Sequence, residues 1–356
     1  MRLGHLQEVY ERPGPFATVH LDTAGGGAGA EWPRAREVLG AQGADEPTLR
    51  ALDEHLAAGS FTEPGHALVA ERGEVVLSDD LPQAPAGLTE REAACFDAVP
   101  HLMTYLRLRG PRIPHVVAIV DRLGAGLRIV RATREAEISS VEGADHPAHA
   151  GDGSTGDEAR RRTAELVAAE VTRQAARVGA RAVVLAGEAR QRRLVLDQLE
   201  GEVADRVVET EATHDDHDDH DAVDEPLRRQ IDETIEALVH SRVSEAVQEF
   251  EQQRGDPERV VEGLRTTLAA LRREQVRTLL WSAPVGPSEA TLQIGSRTSE
   301  VGADAAGLGV EAVATVPAST AVVRALAGSS AELVLVDPEK VELADGVGGV
   351  LGTPGT

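Results

Sequence analysis

The chain has 356 residues and a formal net charge of −24, and 41% of it is hydrophobic although only 2% is aromatic. That length exceeds one ordinary core and predicts two or three domains, whose interiors must be built from Ala, Val and Leu. The charge excludes indiscriminate nucleic-acid binding by the chain as a whole, and the single cysteine, Cys95, excludes a disulfide framework and any Cys-based zinc site, so it reads as a small buried hydrophobe.

The opening MRLGHLQEVYERPGPF carries no apolar leader, and no later apolar run reaches the roughly 18 residues of a membrane helix, which predicts a cytoplasmic protein with no membrane partner. Alternation in Phe16-Ala-Thr-Val-His-Leu21 predicts a strand. Glu31 to Leu39 and Pro47 to Ala58 read as helices, the second with Leu49, Leu52 and Leu56 at helical spacing. His66 to Ala70 and Glu74 to Leu77 flank Arg72-Gly73 as a hairpin, and Pro82 to Gly87 is a loop. These make an N-terminal α/β domain over 1–110.

Three strands follow, His115 to Val120, Leu127 to Ala132 and Ala136 to Val141. A polar loop over 142–156 leads to a long helix reaching about Val178, with Val167, Val171, Ala175 and Val178 on one face. Arg181 to Ala186 is a buried strand and Arg190 to Leu199 a helix. The middle domain, 111–212, is therefore a mixed sheet with a long helix after an exposed Gly-rich loop. An acidic His-Asp linker spans 213–226. From 227 to 356 a helical connector up to about Gln253 precedes an α/β sandwich: helix 257–273, strands Val276 to Trp281 and Ala290 to Ile294, a helix near 300–307, strand Val310 to Val316, helix Thr320 to Leu326 and strand Leu333 to Val336.

Charge is distributed unevenly over this plan. Residues 107–210 hold 17 Arg against 16 acidic residues, while the rest holds 19 basic against 44 acidic ones. A phosphate-facing surface, if the chain has one, belongs in the middle.

The middle loop contains Gly151-Asp-Gly153-Ser-Thr-Gly156, a literal G-x-G-x-x-G. A dinucleotide fingerprint needs a hydrophobic strand directly before the first glycine and an acid ending the next strand. Here Glu142 to Ala150 is no strand, and no such acid is in place. The Walker A reading fails too, because Asp157-Glu158 stand where Lys-Ser/Thr must hold phosphate and magnesium. Thr155 and Glu158 fit a capping box. Arg160, Arg161 and Arg162 then gather against the positive end of the helix dipole, which an external anion would relieve. The alternative is a solvated loop whose arginines pair with Asp157, Glu158 and Glu165. His146 and His149 beside the glycines are candidates to stack on bases or meet phosphate.

The loudest metal-like string is His214-Asp-Asp-His217-Asp-Asp-His220-Asp221. It is low-complexity and lacks the rigid scaffold and supporting shell of a working metal site. His214, His217 and His220 are accordingly weak candidates, and no cofactor is expected. No G-x-S-x-G or other serine-hydrolase motif is present.

The order of parts resembles the archaeo-eukaryotic class I release factor and Pelota family, and more closely its bacterial branch known from actinobacteria. The segments that carry it are Gly14-Pro-Phe-Ala-Thr-Val-His-Leu-Asp22, Val116-Val-Ala-Ile-Val-Asp121, Ala182-Val-Val-Leu-Ala-Gly-Glu188, and Val261-Glu-Gly-Leu264 through Val276-Arg-Thr-Leu-Leu280. The resemblance implies a three-domain α/β protein whose C-terminal α/β sandwich is L7Ae-like and faces protein partners. The region from 211 onward, with 12 basic and 27 acidic residues, agrees with that. It also implies the ribosomal A site with its ribosomal RNA as partner, a translational GTPase such as elongation factor Tu, no DNA, and a role in translational stress or ribosome hibernation. In release factors the loop before the long middle helix carries Gly-Gly-Gln and serves peptidyl-tRNA hydrolysis. Here no Gln lies between Glu142 and Arg173, so no catalytic residue carries over. Two other classes stay open: a peptidyl-tRNA hydrolase with a catalytic group other than Gln, and a metal- or nucleotide-binding protein unrelated to translation.

Overall fold

The computed structural model describes residues 1–24, 31–59, 61, 63–131, 137–143, 153–210, 225–282 and 290–352. They form two compact units, Pro111–Arg242 and a second that joins Met1–Gly110 to Val243–Thr356. Among the described residues no helix is long and apolar enough to cross a membrane.

The N-terminal third contains α1 (Gln7–Tyr10), β1 (Phe16–Asp22), α2 (Trp32–Ala41), α3 (Glu46–Ala58), β2 (Gly65–Glu71), β3 (Glu74–Leu81), α4 (Glu90–Ala93), β4 (Ala94–Asp97) and α5 (Met103–Arg109). Its antiparallel sheet has the order β3-β2-β1-β4. Arg72 and Gly73 both take positive φ, 45° and 83°, as a two-residue hairpin turn requires. Ala17, Val19 and Leu21 face Leu39, Leu49 and Leu52 of α2 and α3. On the opposite face Phe16 joins Leu102, Tyr105 and Leu106 around α5.

The middle unit is built on β5 (His115–Val120), β6 (Gly124–Val130), β7 (Glu137–Glu142), α6 (Gly153–Val178), β8 (Ala182–Gly187), α7 (Ala189–Leu196), α8 (Gly201–Ala204), β9 (Val207–Glu209) and the first half of α9 (Glu225–Gln253). The sheet order is β7-β6-β5-β8-β9, with β5, β8 and β9 parallel and the hairpin strands antiparallel. The central strands are apolar on both faces because both are covered. Val116, Ala118, Val120, Val183 and Leu185 pack under Val167, Val171 and Ala175 of α6. Val117, Ile119, Val184 and Ala186 meet Leu227 and Ile231 of α9.

In the C-terminal third, Ala246 and Phe250 of α9 pack with Leu280, Val334 and Val350. There follow β10 (Val260–Glu262), α10 (Leu264–Arg272), β11 (Val276–Ser282), β12 (Thr291–Ile294), β13 (Val301–Gly302), α11 (Ala305–Leu308), β14 (Ala314–Pro317), α12 (Ala318–Ala327), β15 (Glu332–Val336) and β16 (Val347–Leu351). They make two sheets, β10-β16-β11-β15 and β13-β12-β14. The first and last thirds share one core: Leu3, Leu6 and Val9 cluster with Val322, Leu326 and Leu333, and Leu333 donates its amide to the Met1 carbonyl at 2.8 Å.

The mixed α/β class expected from sequence is present in every third. Two helix expectations are corrected. The helix read over 257–273 starts only at Leu264, because β-branched Val260 and Val261 pair with β16 and Gly263 at φ 83° breaks the backbone path. The helix near 300–307 is split, since Val301 pairs with Ile294 and a single turn forms only after the Asp304 side chain caps it by accepting from the Gly307 amide.

Candidate functional site

The parallel strands β5 and β8 end side by side, and the chain must turn sharply from β8 into α7. Gly187 makes that turn at φ 98°, where a Cβ would lie 2.1 Å from the Val120 carbonyl oxygen, so only glycine fits. The next residue, Glu188, donates its amide to that same carbonyl at 2.8 Å and stands at the start of α7. There it receives Arg160 Nη1 at 2.8 Å. Buried Gln191 donates Nε2 to the Arg160 carbonyl at 3.0 Å, so the second turn of α6 is pinned to α7 by both side chain and backbone. On the other side Gly143 donates its amide to the Leu123 carbonyl at 2.6 Å and brings the β5–β6 turn beside Thr163 of α6.

This corner gathers cations from two helices. Arg190 reaches Asp157 at 2.7 Å, Arg162 reaches Glu158 at 3.5 Å, and Arg193 reaches Asp197 at 3.7 Å. Arg161 is exposed and has no ion pair among the described residues. The three arginines are therefore not equivalent. Arg160 is 21% exposed and braces two helices. Arg162, 65% exposed, is in a solvated i,i+4 pair. Arg161 points its charge at solvent unanswered. Chemically the corner can meet an anion; the described residues there show no nucleophile with a base.

The glycine motif is divided by the structure. Gly151 lies outside the described residues, as do His146, His149 and the string His214, His217 and His220. Gly153 opens α6 and Gly156 sits in its first turn with open space around it. The helix thus begins before Thr155, which places that residue in the first turn rather than at the cap. Two of the three glycines are helical and do not form a phosphate-cradling loop.

Polar clusters that sequence reasoning missed lie on the N-terminal sheet. Cys95 is buried as expected, yet its neighbours are polar: Sγ is 3.7 Å from His101 Nε2, which is 3.1 Å from Asp97 Oδ2. Burial opposes charge on His101, but Asp97 and Cys95 outweigh it and raise its pKa to about 9. His20, on the same face of β1, does the opposite. Among the described residues its Nδ1 meets only the Glu92 carbonyl, at 2.7 Å, and burial lowers its pKa to about 4. On the other face, Asp80 Oδ1 lies 2.6 Å from His66 Nδ1, and Ser78 Oγ lies 3.0 Å from His66 Nε2 and 2.9 Å from His55 Nε2. This is the order of acid, base and hydroxyl found in hydrolytic triads, although Ser78 sits within regular strand β3 instead of at a strained turn. Period-two spacing supplies the signal: Thr18 and His20, Cys95 and Asp97, Ser78 and Asp80 each place two polar groups on one face of a strand.

With this geometry in hand, the chain can be set beside known proteins. Residues 114–256 match the family described as bacterial archaeo-eukaryotic release factor family 2. The match covers the middle of the chain, less than half of its length. It spans β5 through α9, and so the whole five-stranded sheet, α6 and the arginine corner. The crystal structure of the archaeal translation termination factor aRF1 aligns at 15% identity and TM-score 0.26, covering 98% of this chain and 96% of that one. Archaeoglobus fulgidus Pelota aligns at 12% identity and TM-score 0.35, covering 98% and 90%. A model of ribosome-bound archaeal Pelota and ABCE1 aligns at 15% identity and TM-score 0.39, covering 99% and 93%. No curated protein matches the chain.

Proposed function

We propose that this release-factor-like chain binds the ribosomal A site in translational stress or ribosome hibernation, without glutamine-dependent peptide release. One observation carries the second half of that reading. The family segment contains the loop-and-helix element where release factors hold their glutamine, and here the first glutamine after Glu142 is Gln174. It is 5% exposed, donates Nε2 to Glu170 at 2.7 Å and accepts from Arg177 at 2.7 Å, so it is occupied inside α6. The partners that follow are ribosomal RNA, met by Arg161 and Arg162, and a translational GTPase such as elongation factor Tu. The cell compartment is the cytoplasm.

Co-sedimentation with ribosomes across a salt series tests binding. Arg161→Ala with Arg162→Ala should weaken association and flatten its salt dependence by roughly 0.7 to 0.9 per lost phosphate contact. Unchanged association would make the corner a solvated connector. Addition of the chain to stalled ribosome–nascent-chain complexes tests the other half: release of peptide would favour a hydrolase with a catalytic group other than Gln.

A further inference from the structure

Cys95, Asp97 and His101 come from the edge strand β4 and the approach to α5. Cys95 pairs across the sheet with Thr18, and the Thr18 hydroxyl accepts the His101 amide at 3.2 Å. The sheet therefore turns Cys95 and Asp97 to the side on which His101 arrives, and all three donor atoms lie within 4.8 Å of one another. A tetrahedral zinc ion with Zn–S of about 2.3 Å and Zn–N and Zn–O of about 2.0–2.2 Å holds sulfur and nitrogen about 3.6 Å apart and nitrogen and oxygen about 3.4 Å apart. The corresponding separations here are 3.7 Å and 3.1 Å. The donors already stand at ligand spacing.

We propose that Cys95 Sγ, Asp97 Oδ2 and His101 Nε2 form a binding site for a zinc-class divalent cation, which corrects the expectation that a lone cysteine excludes a Cys-based zinc site, since Asp97 and His101 complete the donor set. Charge agrees with position. One thiolate, one carboxylate and one neutral imidazole around a divalent ion sum to zero, which suits a cluster of one buried and two half-buried side chains better than separate charges do. The cation takes the place of the proton that His101 shares between Cys95 and Asp97, so binding releases protons. Asp97 is held for this by its Oδ1, which accepts the Ala98 amide at 2.7 Å. Its Oδ2 is also shared with Arg91 at 2.9 Å, a side chain that is 60% exposed and can turn to water. Three protein donors leave the fourth position to water or a small anion. Bound metal would staple the end of β4 to the entry of α5.

Cobalt titration of the reduced, full-length chain tests this. Cys95 is the only cysteine, so a thiolate-to-cobalt charge-transfer band reports this site alone and is blind to the His214, His217 and His220 string. The band should saturate at one equivalent, bleach on addition of zinc, and vanish in Cys95→Ser. His101→Gln and Asp97→Asn should each weaken cobalt affinity about tenfold or more. Zinc should raise the thermal midpoint of the wild type and leave that of Cys95→Ser unmoved. Absence of the band in the wild type overturns the site. So does a band of unchanged affinity in Asp97→Asn, a near-isosteric change that decides the matter if His101→Gln does not fold.

Discussion

The start of α6 and the corner between β4 and α5 are opposites. At the first, reactive-looking residues are contiguous in sequence, and a helix displays Arg160, Arg161 and Arg162 around its circumference, mostly in water. At the second, residues at positions 18, 20, 95, 97 and 101 are unremarkable in sequence and meet only because β1 pairs with β4. The first has charge and little burial; the second has both, and its groups are shifted. His20 and His101 show how specific that shift is. One sheet face holds both and burial opposes charge on each, yet the first is pushed to about 4 and the second to about 9, because a lone carbonyl does not offset burial at His20 whereas the Asp97 carboxylate and Cys95 outweigh it at His101. Display of charge is visible in a sequence; modulation of charge is a product of the fold.

The largest test of the comparison puts a charge where α6 has none. Val171 is fully buried against the sheet, while Arg161 and Arg162 lie off that face. Val171→Asp should cost about 4 kcal/mol or more, since the carboxylate is buried without a partner. The chain should lose the cooperative unfolding of its middle unit, followed by hydrogen exchange of β5 and β8. Retention of that protection would mean that the helix is loosely docked.

The next effect belongs to the buried corner. His20 is neutral when folded and takes up a proton near pH 6.5 when unfolded, so the unfolded chain binds more protons between about pH 6.5 and about 4. Stability is therefore present above the unfolded value and is lost as pH falls through that window, by up to about 3 kcal/mol. His20→Asn keeps a donor for the Glu92 carbonyl and removes the titration. Its denaturation midpoint should fall less than that of the wild type between pH 7 and pH 4.5. Parallel curves for the two proteins would show that His20 is solvated.

The difference between the two regions also explains what could be read in advance. The central strands were legible because double burial writes continuous runs such as His115-Val-Val-Ala-Ile-Val120, and α6 because its apolar residues repeat at helical spacing. Strand β16 was not, since the two glycines of Val347-Gly-Gly-Val-Leu351 interrupt any apolar alternation. A Cβ on Gly348 would come within 2.8 Å of the Phe250 ring, so the glycine is set by packing from α9, about a hundred residues away. Strand β4 is only Ala94–Asp97 and has no periodicity to detect. The arginine corner was legible as composition, but the unequal roles of its three arginines depend on where Glu188 falls after the Gly187 turn.

That inequality makes the smallest and sharpest prediction. Arg160 and Glu188 are 21% and 39% exposed, so their pair is partly screened and contributes about 0.5–1 kcal/mol. Arg160→Ala should lower stability by that much, and a double-mutant cycle with Glu188→Gln should recover a coupling of the same size. Arg161→Ala should leave stability within about 0.5 kcal/mol of the wild type, because its side chain touches no carboxylate among the described residues. The proposed ribosome association should reverse the order: Arg161→Ala loses affinity and salt dependence, while Arg160→Ala loses less, its guanidinium being already engaged. If the two variants matched in both measurements, the α6 start would behave as a diffuse cationic patch, and the distinction between a bracing arginine and a displayed one would fail.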